Sequence, residues 1–435
     1  MTSCFSLPFR FALTCAGWML VLTTSIRGEA EPTSAAAAIV APPEVDAPPA
    51  VAGGTHPPEG ATAKSTDGLE SLLALAPRLT DRGDYESADI AFRQILESPL
   101  AKPEAIKVAL LGLAHMHRKQ GALSKAAAIY ERFLKDFPDD ERIPDAQLDL
   151  GRTLRGLGAH KAAISRFYNV VSSTLKLPGD GFERYQVLAK TAQFEIAETH
   201  FLAGEFADAT KFYTRLRLLD LAPADRARAH FKAGFSRRLQ GDIEGAVTTL
   251  RSYIEQAPED ENIPEARYLM AISLRELKRP QEALAITLDL LRAEKSRVAA
   301  DAKRWTYWQR RTGNYLANDF FENGDILNAR TIYAVLLELS PEATWRLPIT
   351  YQLGLCYERL GLTDRAKTSY QGVLDAAGPN PSDDFRELAI MAKWRIEHLD
   401  WRERVSHQIS DFFGPGTHSQ LATVPSLPSK QAASP

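Results

Sequence analysis

The chain has 435 residues with 52 basic and 55 acidic side chains, which gives a formal net charge of −3. Proteins that bind duplex nucleic acid carry a basic excess or a basic stripe, so this balance excludes a nucleic-acid partner. Hydrophobic residues make up 45% of the chain, which is enough to bury an extensive core.

The N-terminus has the layout of a secretory signal. Arg10 precedes a mainly apolar stretch from 11 to 24, and Gly28-Glu-Ala30 offers small residues for cleavage. This predicts a signal peptide over residues 1–30 and an exported protein, periplasmic or secreted. An uncleaved anchor is the alternative, although the apolar stretch is shorter than the roughly 20 residues of a spanning helix. No cysteine follows the apolar stretch at a cleavage site, so a lipoprotein is not expected.

The rest of the chain divides into three parts by composition. Residues 31–66 are rich in alanine and proline and predict a disordered linker. Residues 67–404 carry helical repeats. Residues 405–435 predict the end of a helix and then a disordered tail, because glycine, proline and serine dominate from 414 onward.

One four-point pattern recurs eight times between residues 76 and 370. A small residue is followed by a glycine seven positions later, by an alanine five positions after the glycine, and usually by an aromatic residue four positions beyond. Small side chains let two helices cross closely, glycine suits the left-handed turn between them, and the aromatic ring fills the space beside the crossing. The turn positions are Gly83, Gly121, Gly158, Gly204, Gly241, Lys278, Gly324 and Gly361. The pattern predicts a solenoid of helical hairpins, with Lys278 as the exception in the glycine row.

The hairpins also recur with a longer period in the sequence. From residue 121 onward, every turn position recurs 120 residues later, and the segment Pro138–Ala146 aligns with Pro258–Ala266. We interpret this as a three-hairpin unit duplicated in tandem, with one longer connection between hairpins in each copy. The last hairpin then begins a third copy.

An amphipathic stretch follows the last hairpin, from 383 to about 412. Its large apolar residues are Leu388, Met391, Trp394, Ile396, Leu399 and Trp401. We expect a capping helix from 383 that covers the last hairpin. The alternative is that exposed tryptophans there serve a partner.

The repeats resemble the tetratricopeptide repeat (TPR) family from residue 69 to about 400. The resemblance rests on segments such as Gly83-Asp-Tyr-Glu-Ser-Ala88 with Phe92, and Gly324-Asp-Ile-Leu-Asn-Ala329 with Tyr333. It implies an all-α fold, a right-handed α-solenoid of about eight TPR hairpins with a C-terminal capping helix.

No catalytic or cofactor motif stands out in the chain. The HExxH pattern of zinc proteases, the Walker-type glycine loop and the GxSxG motif of hydrolases are all absent from the sequence. We therefore expect a protein that is not an enzyme and that has no cofactor or metal.

The family resemblance implies that the first helix of each hairpin lines a concave groove. Candidate partner-binding residues at or beside the family's groove positions are Arg118, Arg155, Arg238, Arg275, Phe194, Phe231, Phe235, Tyr268 and Tyr351. Arginine and aromatic residues often dominate interface energies, and arginine suits carboxylates. We expect a protein or peptide partner with acidic groups. The alternative for the arginines is a solvated position near helix C-termini, where the helix dipole favours them.

Segments such as Tyr130-Glu-Arg-Phe-Leu-Lys-Asp-Phe-Pro138 look like repeats of exported bacterial TPR proteins. Those relatives serve outer-membrane assembly (BamD-like) or the Tol-Pal system (CpoB-like). The resemblance implies a periplasmic scaffold in cell-envelope assembly or maintenance, with peripheral association with the envelope. A cell-wall or carbohydrate-binding module is the alternative function, with Trp305, Trp308 and Trp345 stacking on sugar rings.

Overall fold

A computed structural model describes residues 66–174, 182–293 and 295–413. The predicted signal peptide, the predicted linker up to residue 65 and the tail from 414 lie outside the described residues. Regular structure in the described part of the chain is entirely helical, and none of these helices is long and apolar enough to cross a membrane.

Eighteen helices follow one another in the described ranges. They are α1 Thr66–Arg82, α2 Tyr85–Glu97, α3 Pro103–Lys119, α4 Leu123–Asp136, α5 Ile143–Gly156, α6 His160–Thr174, α7 Phe182–Leu202, α8 Phe206–Leu216, α9 Pro223–Gln240, α10 Ile243–Gln256, α11 Ile263–Glu276, α12 Pro280–Leu291, α13 Lys295–Ala300, α14 Ala302–Glu322, α15 Ile326–Leu336, α16 Ala343–Arg359, α17 Thr363–Ala377 and α18 Asp383–Phe413. Helices flank each predicted turn as eight pairs, so the predicted all-α repeat fold is confirmed.

The turns between paired helices share one left-handed backbone conformation. The seven glycines of the turn row have φ between 72° and 89°, and Lys278 adopts the same conformation with a φ of 58°. At Lys278 the backbone still closes the turn, because its amide donates to the Arg275 carbonyl at 3.0 Å. The fold therefore imposes the left-handed turn even where glycine is absent.

Replacing Lys278 with glycine should stabilise the protein by about 0.5–1 kcal/mol. The left-handed conformation costs a side-chain-bearing residue roughly 1–2 kcal/mol, while the greater freedom of glycine in the unfolded chain returns part of this gain. Urea unfolding followed by circular dichroism measures the difference. Gly158→Lys is the reciprocal control, since Gly158 lies 120 residues earlier, has a φ of 78° and leaves open space for a Cβ. Equal stabilities for both variants and the parent would contradict the argument.

The remaining points of the repeat pattern form the core of each hairpin. The eight alanines that follow the turns are all fully buried: Ala88, Ala126, Ala163, Ala209, Ala246, Ala283, Ala329 and Ala366. The residues at the aromatic position are at most 1% exposed, including Leu250 and Thr287, which replace a ring there. Each hairpin thus packs by the same crossing of small and large side chains.

The duplication holds at the level of single helices. The bounds of α10 and α11 lie 120 residues after those of α4 and α5, and those of α15 lie 120 residues after those of α8. The extra residues that we expected in the long connections lie partly in the helices that follow them. α7 and α14 each have 21 residues, compared with 14 in α5 and α11. Asp301 caps the N-terminus of α14 by accepting a hydrogen bond from the Arg304 amide at 3.1 Å. The segment that follows is therefore helical, where we expected a longer connection.

The chain divides into two compact units between Ala266 and Arg267, inside α11. The described part of the first unit runs from 66 to 266, and that of the second unit from 267 to 413. Each unit has its own buried clusters of alanine, leucine and aromatic residues. Function is therefore considered unit by unit.

The last helix, α18, packs on α17 through one of its sides. Leu388, Ala392 and Leu399 are at most 5% exposed there, whereas Trp394 and Trp401 are 54% and 52% exposed. Ala392 and Leu399 lie two residues before Trp394 and Trp401. Because two residues turn a helix by about 200°, each tryptophan points away from the face that buries Ala392 and Leu399. The two tryptophans are therefore not part of the covering face.

Candidate functional site

The first unit carries a network of charged residues on α3, α5 and α7, each of which is the first helix of a hairpin. Glu195 of α7 binds two arginines of α5: its Oε1 accepts from Arg152 Nε at 2.7 Å and its Oε2 from Arg155 Nη1 at 2.5 Å. Asp149 Oδ1 also lies 3.3 Å from Arg152 Nη1 and 3.8 Å from Arg118 Nη2. We call these five residues the charged face. They link α3, α5 and α7 through ion pairs.

The predicted arginines of the first unit occupy different environments. Arg155 is held by Glu195, with its side chain 19% exposed. Arg118 lies near the end of α3, with Nη2 3.2 Å from His115 Nδ1. Arg238 is half-buried in the last turn of α9. The predicted role of these arginines in partner binding stays a prediction.

Arg275 in the second unit also pairs with the following hairpin. Its Nε donates to Asp319 Oδ2 on α14 at 2.5 Å, and its guanidinium carbon lies 4.3 Å from the centre of the Phe320 ring. Arg155 lies 120 residues before it, and Arg395, which binds Glu358 at 3.2 Å, lies 120 residues after it. The arginine that recurs with this period is thus an ion-pair partner between hairpins, rather than a solvated residue.

The predicted aromatic residues are not equally accessible. Phe231 is 4% exposed and packs 5.6 Å from Tyr253, and Tyr351 is 3% exposed and packs 5.4 Å from Tyr370. Both belong to the core, because the first helix of a hairpin also has to bury apolar side chains against the second. Phe194 is half-buried beneath the guanidinium of Arg228, 5.7 Å from its ring centre.

Phe235 is also half-buried, with its ring 5.4 Å from that of Phe201 and 6.1 Å from that of Phe231. It therefore belongs to the apolar packing at the middle of α9.

Tyr268 belongs to a group of rings and one arginine on α11 and α14. We call Tyr268, Tyr307, Trp308, Arg311 and Tyr315 the aromatic cluster. The Trp308 ring lies 5.1 Å from that of Tyr268 and 5.0 Å from that of Tyr307, and Tyr315 lies 6.5 Å from Tyr268. The guanidinium of Arg311 lies between 5.5 and 5.9 Å from the centres of the first three rings. Three aromatic rings therefore surround one cation, and Tyr315 lies beside one of them.

The aromatic cluster is open to solvent. Tyr307 and Tyr315 are 46% and 51% exposed. Arg311 Nη1 donates to the Tyr307 hydroxyl at 2.8 Å, and within the described ranges no carboxylate lies at ion-pair distance from it. Burial by itself would lower the pKa of Arg311, but hydrogen bonding to the phenol oxygens of Tyr268 and Tyr307 raises it overall. Arg311 is therefore a fixed positive charge without a negative partner, unlike Arg155 and Arg275.

α14, which carries four of the five residues of the aromatic cluster, is held in place by hydrogen bonds on its other side. The buried Gln309 donates its Nε2 hydrogens to the carbonyls of Leu290 and Leu291, at 3.1 and 3.3 Å, where α12 ends. Trp305 is 7% exposed on the same side of α14. The cluster thus projects from a rigid element, as a binding site requires.

The first copy of the duplication has different residues at all five cluster positions. The residues 120 positions earlier are Leu148, Val187, Leu188, Thr191 and Glu195. The packing alanines remain identical between the copies, as at Ala163 and Ala283. The two copies therefore share a scaffold but differ at these five positions, where the first copy buries Leu148 and Leu188 in its core. The sequence prediction missed Tyr307, Arg311 and Tyr315, which a residue-by-residue comparison of the two copies would have shown.

The tryptophans of the carbohydrate alternative have different surroundings. Trp305 and Trp345 are 7% and 8% exposed, and Trp345 Nε1 donates to the Leu336 carbonyl at 2.8 Å. Arg310 covers the Trp345 ring at 4.6 Å. Neither ring can stack on a sugar, and Trp308 alone of the three belongs to the open aromatic cluster.

Comparisons with known proteins agree with this architecture. Three family models described as tetratricopeptide repeats match the chain, one at residues 190–307, one at 73–141 and 111–171, and one at 350–377. No curated protein matched the sequence.

Solved structures also resemble the fold at low identity. The apo form of RapI is 11% identical with a TM-score of 0.50, over 77% of this chain and 89% of that one. The C-terminal part of a TPR protein from Cytophaga hutchinsonii is 14% identical with a TM-score of 0.47, over 62% and 95% of the two chains. The apo quorum sensor NprR from B. thuringiensis is 14% identical with a TM-score of 0.43, over 71% and 87%. The helical hairpins, their left-handed turns and the family matches together show that this chain is built from tetratricopeptide repeats.

Proposed function

We propose that the chain is a non-catalytic scaffold outside the cytoplasm that binds a protein or peptide partner in cell-envelope assembly or maintenance. The aromatic cluster is the observation that carries the proposal. The repeat fold supports protein binding in general, and the composition of residues 1–30 supports export.

The aromatic cluster has the composition of an interface hot spot. Tyrosine, tryptophan and arginine are the residues most enriched where binding energy concentrates, because they bury large areas and also form hydrogen bonds. Tyr307 and Tyr315 expose half of their surface to water, although tyrosine is usually more buried. A partner that covers these rings would remove apolar area from water at about 25 cal/mol per Å².

Charge supports a partner with acidic groups. A carboxylate of the partner would give Arg311 the ion pair that the described residues do not provide, next to the hydroxyls of Tyr268 and Tyr307. On the charged face of the first unit, three arginines share the carboxylates Asp149 and Glu195, which leaves a positive excess. On either surface taken by itself, an acidic peptide segment is the ligand that suits the arginines.

The test replaces the five cluster residues with the residues found 120 positions earlier in the first copy. Y268L/Y307V/W308L/R311T/Y315E keeps side chains that the same helical positions already accept in the first copy, so we expect an unchanged circular dichroism spectrum. A photo-crosslinking amino acid in place of Tyr315 identifies the partner in native envelopes. The purified partner should then bind the transplanted variant at least about 100-fold more weakly than the parent. Binding within threefold of the parent would overturn the site.

Further experiments test the parts of the proposal separately. L327A is the matched control, because it removes a large apolar side chain of the second unit that is 58% exposed and lies outside the cluster, so partner affinity should stay unchanged. R311Q alone should weaken binding about tenfold and remove most of its salt dependence if the partner is acidic. N-terminal sequencing of the chain from fractionated cells tests export: full-length chain confined to the cytoplasm would refute it.

A further inference from the structure

The outer side of α18 carries an apolar stripe that a terminal helix does not need. Repeat proteins normally end in a cap whose outer surface is polar, because exposed apolar surface there promotes association. In α18 the inner side already buries Leu388, Ala392 and Leu399. The outer side nevertheless exposes about half of Trp394 and Trp401.

The stripe follows heptad spacing. Intervals of three and four residues alternate through Met391, Trp394, His398, Trp401, Val405, Gln408 and Phe412. Met391, at the edge of this series, also packs against the buried core of the last hairpin. Such alternation places side chains on one seam of a two-stranded coiled coil, with Met391, His398, Val405 and Phe412 at a positions and the others at d positions. The seam covers 22 residues, about 33 Å at 1.5 Å per residue.

The rings at the centre of the seam are already ordered. His398 stacks on Trp394 with ring centres 5.1 Å apart and 6° between planes, and on Trp401 at 5.7 Å and 26°. Three stacked rings lose little side-chain entropy when another surface covers them. The seam is thus preorganised for contact.

The charges beside the seam indicate what covers it. Glu397 directly precedes His398 and Arg402 directly follows Trp401, which places them at a g position and the next e position. In two parallel helices in register, a g residue of one helix meets the e residue five positions later in the other. Glu397 of one copy would therefore meet Arg402 of a second copy, and this pair would occur twice across the two-fold axis.

Three other charged residues of this part of α18 already have partners in the preceding hairpin. Arg395 binds Glu358 at 3.2 Å, and Asp400 and Glu403 bind Lys367 at 2.7 and 2.6 Å. In the described ranges, Glu397 and Arg402 are exposed and form no ion pair. We propose that a second copy of this chain docks on the seam, so that two α18 helices form a parallel coiled coil. The proposal does not depend on the identity of any other partner.

Light scattering after size-exclusion chromatography and sedimentation of the purified chain test the proposal between about 5 and 100 μM. We expect a dimer. W394A/W401A should be monomeric, because it removes both central d residues. Since both tryptophans are half exposed in the monomer, the helical content of this variant should stay that of the parent. A parent chain that is monomeric throughout this range, or a dimer that survives W394A/W401A, would overturn the proposal.

Charge exchange tests the parallel register. E397R and R402E should each weaken the dimer at least tenfold, because each places two pairs of like charges at the seam, whereas E397R/R402E should restore it. K393E is the matched control, since Lys393 lies on α18 at a c position away from the seam and its change should have no effect. Failure of the double exchange to restore the dimer would exclude parallel pairing and overturn the inference.

Discussion

Gly354→Ala is expected to destabilise the last hairpin by about 2 kcal/mol, within the range found for overpacked cores. A Cβ on Gly354 in α16 would lie 2.5 Å from Cε1 of Tyr370 and 2.9 Å from its Cζ. The Tyr370 ring cannot retreat easily, because it is fully buried and its hydroxyl donates to Glu358 Oε2 at 3.0 Å. The added methyl group must therefore push the two helices of this hairpin apart.

Gly372→Ala is the matched control for that experiment, and it should have the opposite sign. Gly372 lies on α17 of the same hairpin, and a Cβ there meets nothing within 4 Å. Alanine in an exposed helix interior is about 1 kcal/mol more favourable than glycine. Thermal and urea unfolding of both variants should thus differ by about 3 kcal/mol for one identical chemical change. Two variants of equal stability would show that the close approach at Gly354 is not a determinant of packing.

His230 is expected to make the first unit sensitive to acid. Burial, together with the positive charge of Arg217, lowers the pKa of His230 to about 4, although a hydrogen bond to the backbone of Thr249 opposes the shift. The side chain is 3% exposed, its Nε2 has no hydrogen-bond partner, and its ring lies 5.8 Å from that of Tyr253. The folded chain therefore holds this imidazole in its neutral form.

The direction of the pH effect follows from that preference. Above a pH of about 6.5, the ordinary pKa of histidine, neither the folded nor the unfolded chain protonates His230, and its contribution to stability is complete. Between that pH and the folded pKa of about 4, the unfolded chain takes up a proton that the folded chain does not. The free energy of unfolding should fall by about 3 kcal/mol across this window because of His230 alone.

Urea unfolding of His230→Gln between pH 7 and pH 4 measures this contribution. The variant should lose about 3 kcal/mol less than the parent over the same range, whatever its stability at pH 7. His407→Gln is the control for the loss of a histidine as such, because His407 is exposed on α18 and lies outside the first unit. An identical slope for His230→Gln and the parent would contradict the buried neutral state.

The hairpins were predictable because each one depends on residues close together in the sequence. The small residue, the turn and the buried alanine lie within 12 positions, and every one of these alanines is fully buried. Lys278 shows the physical limit of this kind of inference. Its position was recognised from spacing, but only the φ of 58° shows that the turn there has the same conformation as the glycine turns.

The contacts between hairpins could not be predicted in the same way. Arg155 and Glu195 are 40 positions apart, and nothing in their local sequence shows that they meet. The spacing gave a row of arginines, whereas the structure shows Arg155 and Arg275 bound to carboxylates of the following hairpin. A repeated residue can serve packing between repeats as well as recognition, and spacing alone does not separate the two.

The aromatic cluster was missed for a different reason. Its position depends on α14 beginning at Ala302, where we expected a connection between hairpins. Once the segment is helical, Trp305 turns toward the core while Tyr307 and Trp308 meet Tyr268. Three neighbouring aromatic residues that look alike in the sequence therefore have different roles.

The long helix α7 has a consequence for protein engineering. It begins and ends 120 residues before α14, yet it carries the exposed Val187 and the buried Leu188 where α14 carries Tyr307 and Trp308. The same backbone position thus accepts two unrelated sets of side chains without a change in the length of the helix. New recognition residues can be introduced on α7 while α14 retains its own, which makes this chain a natural starting point for a receptor with two specificities.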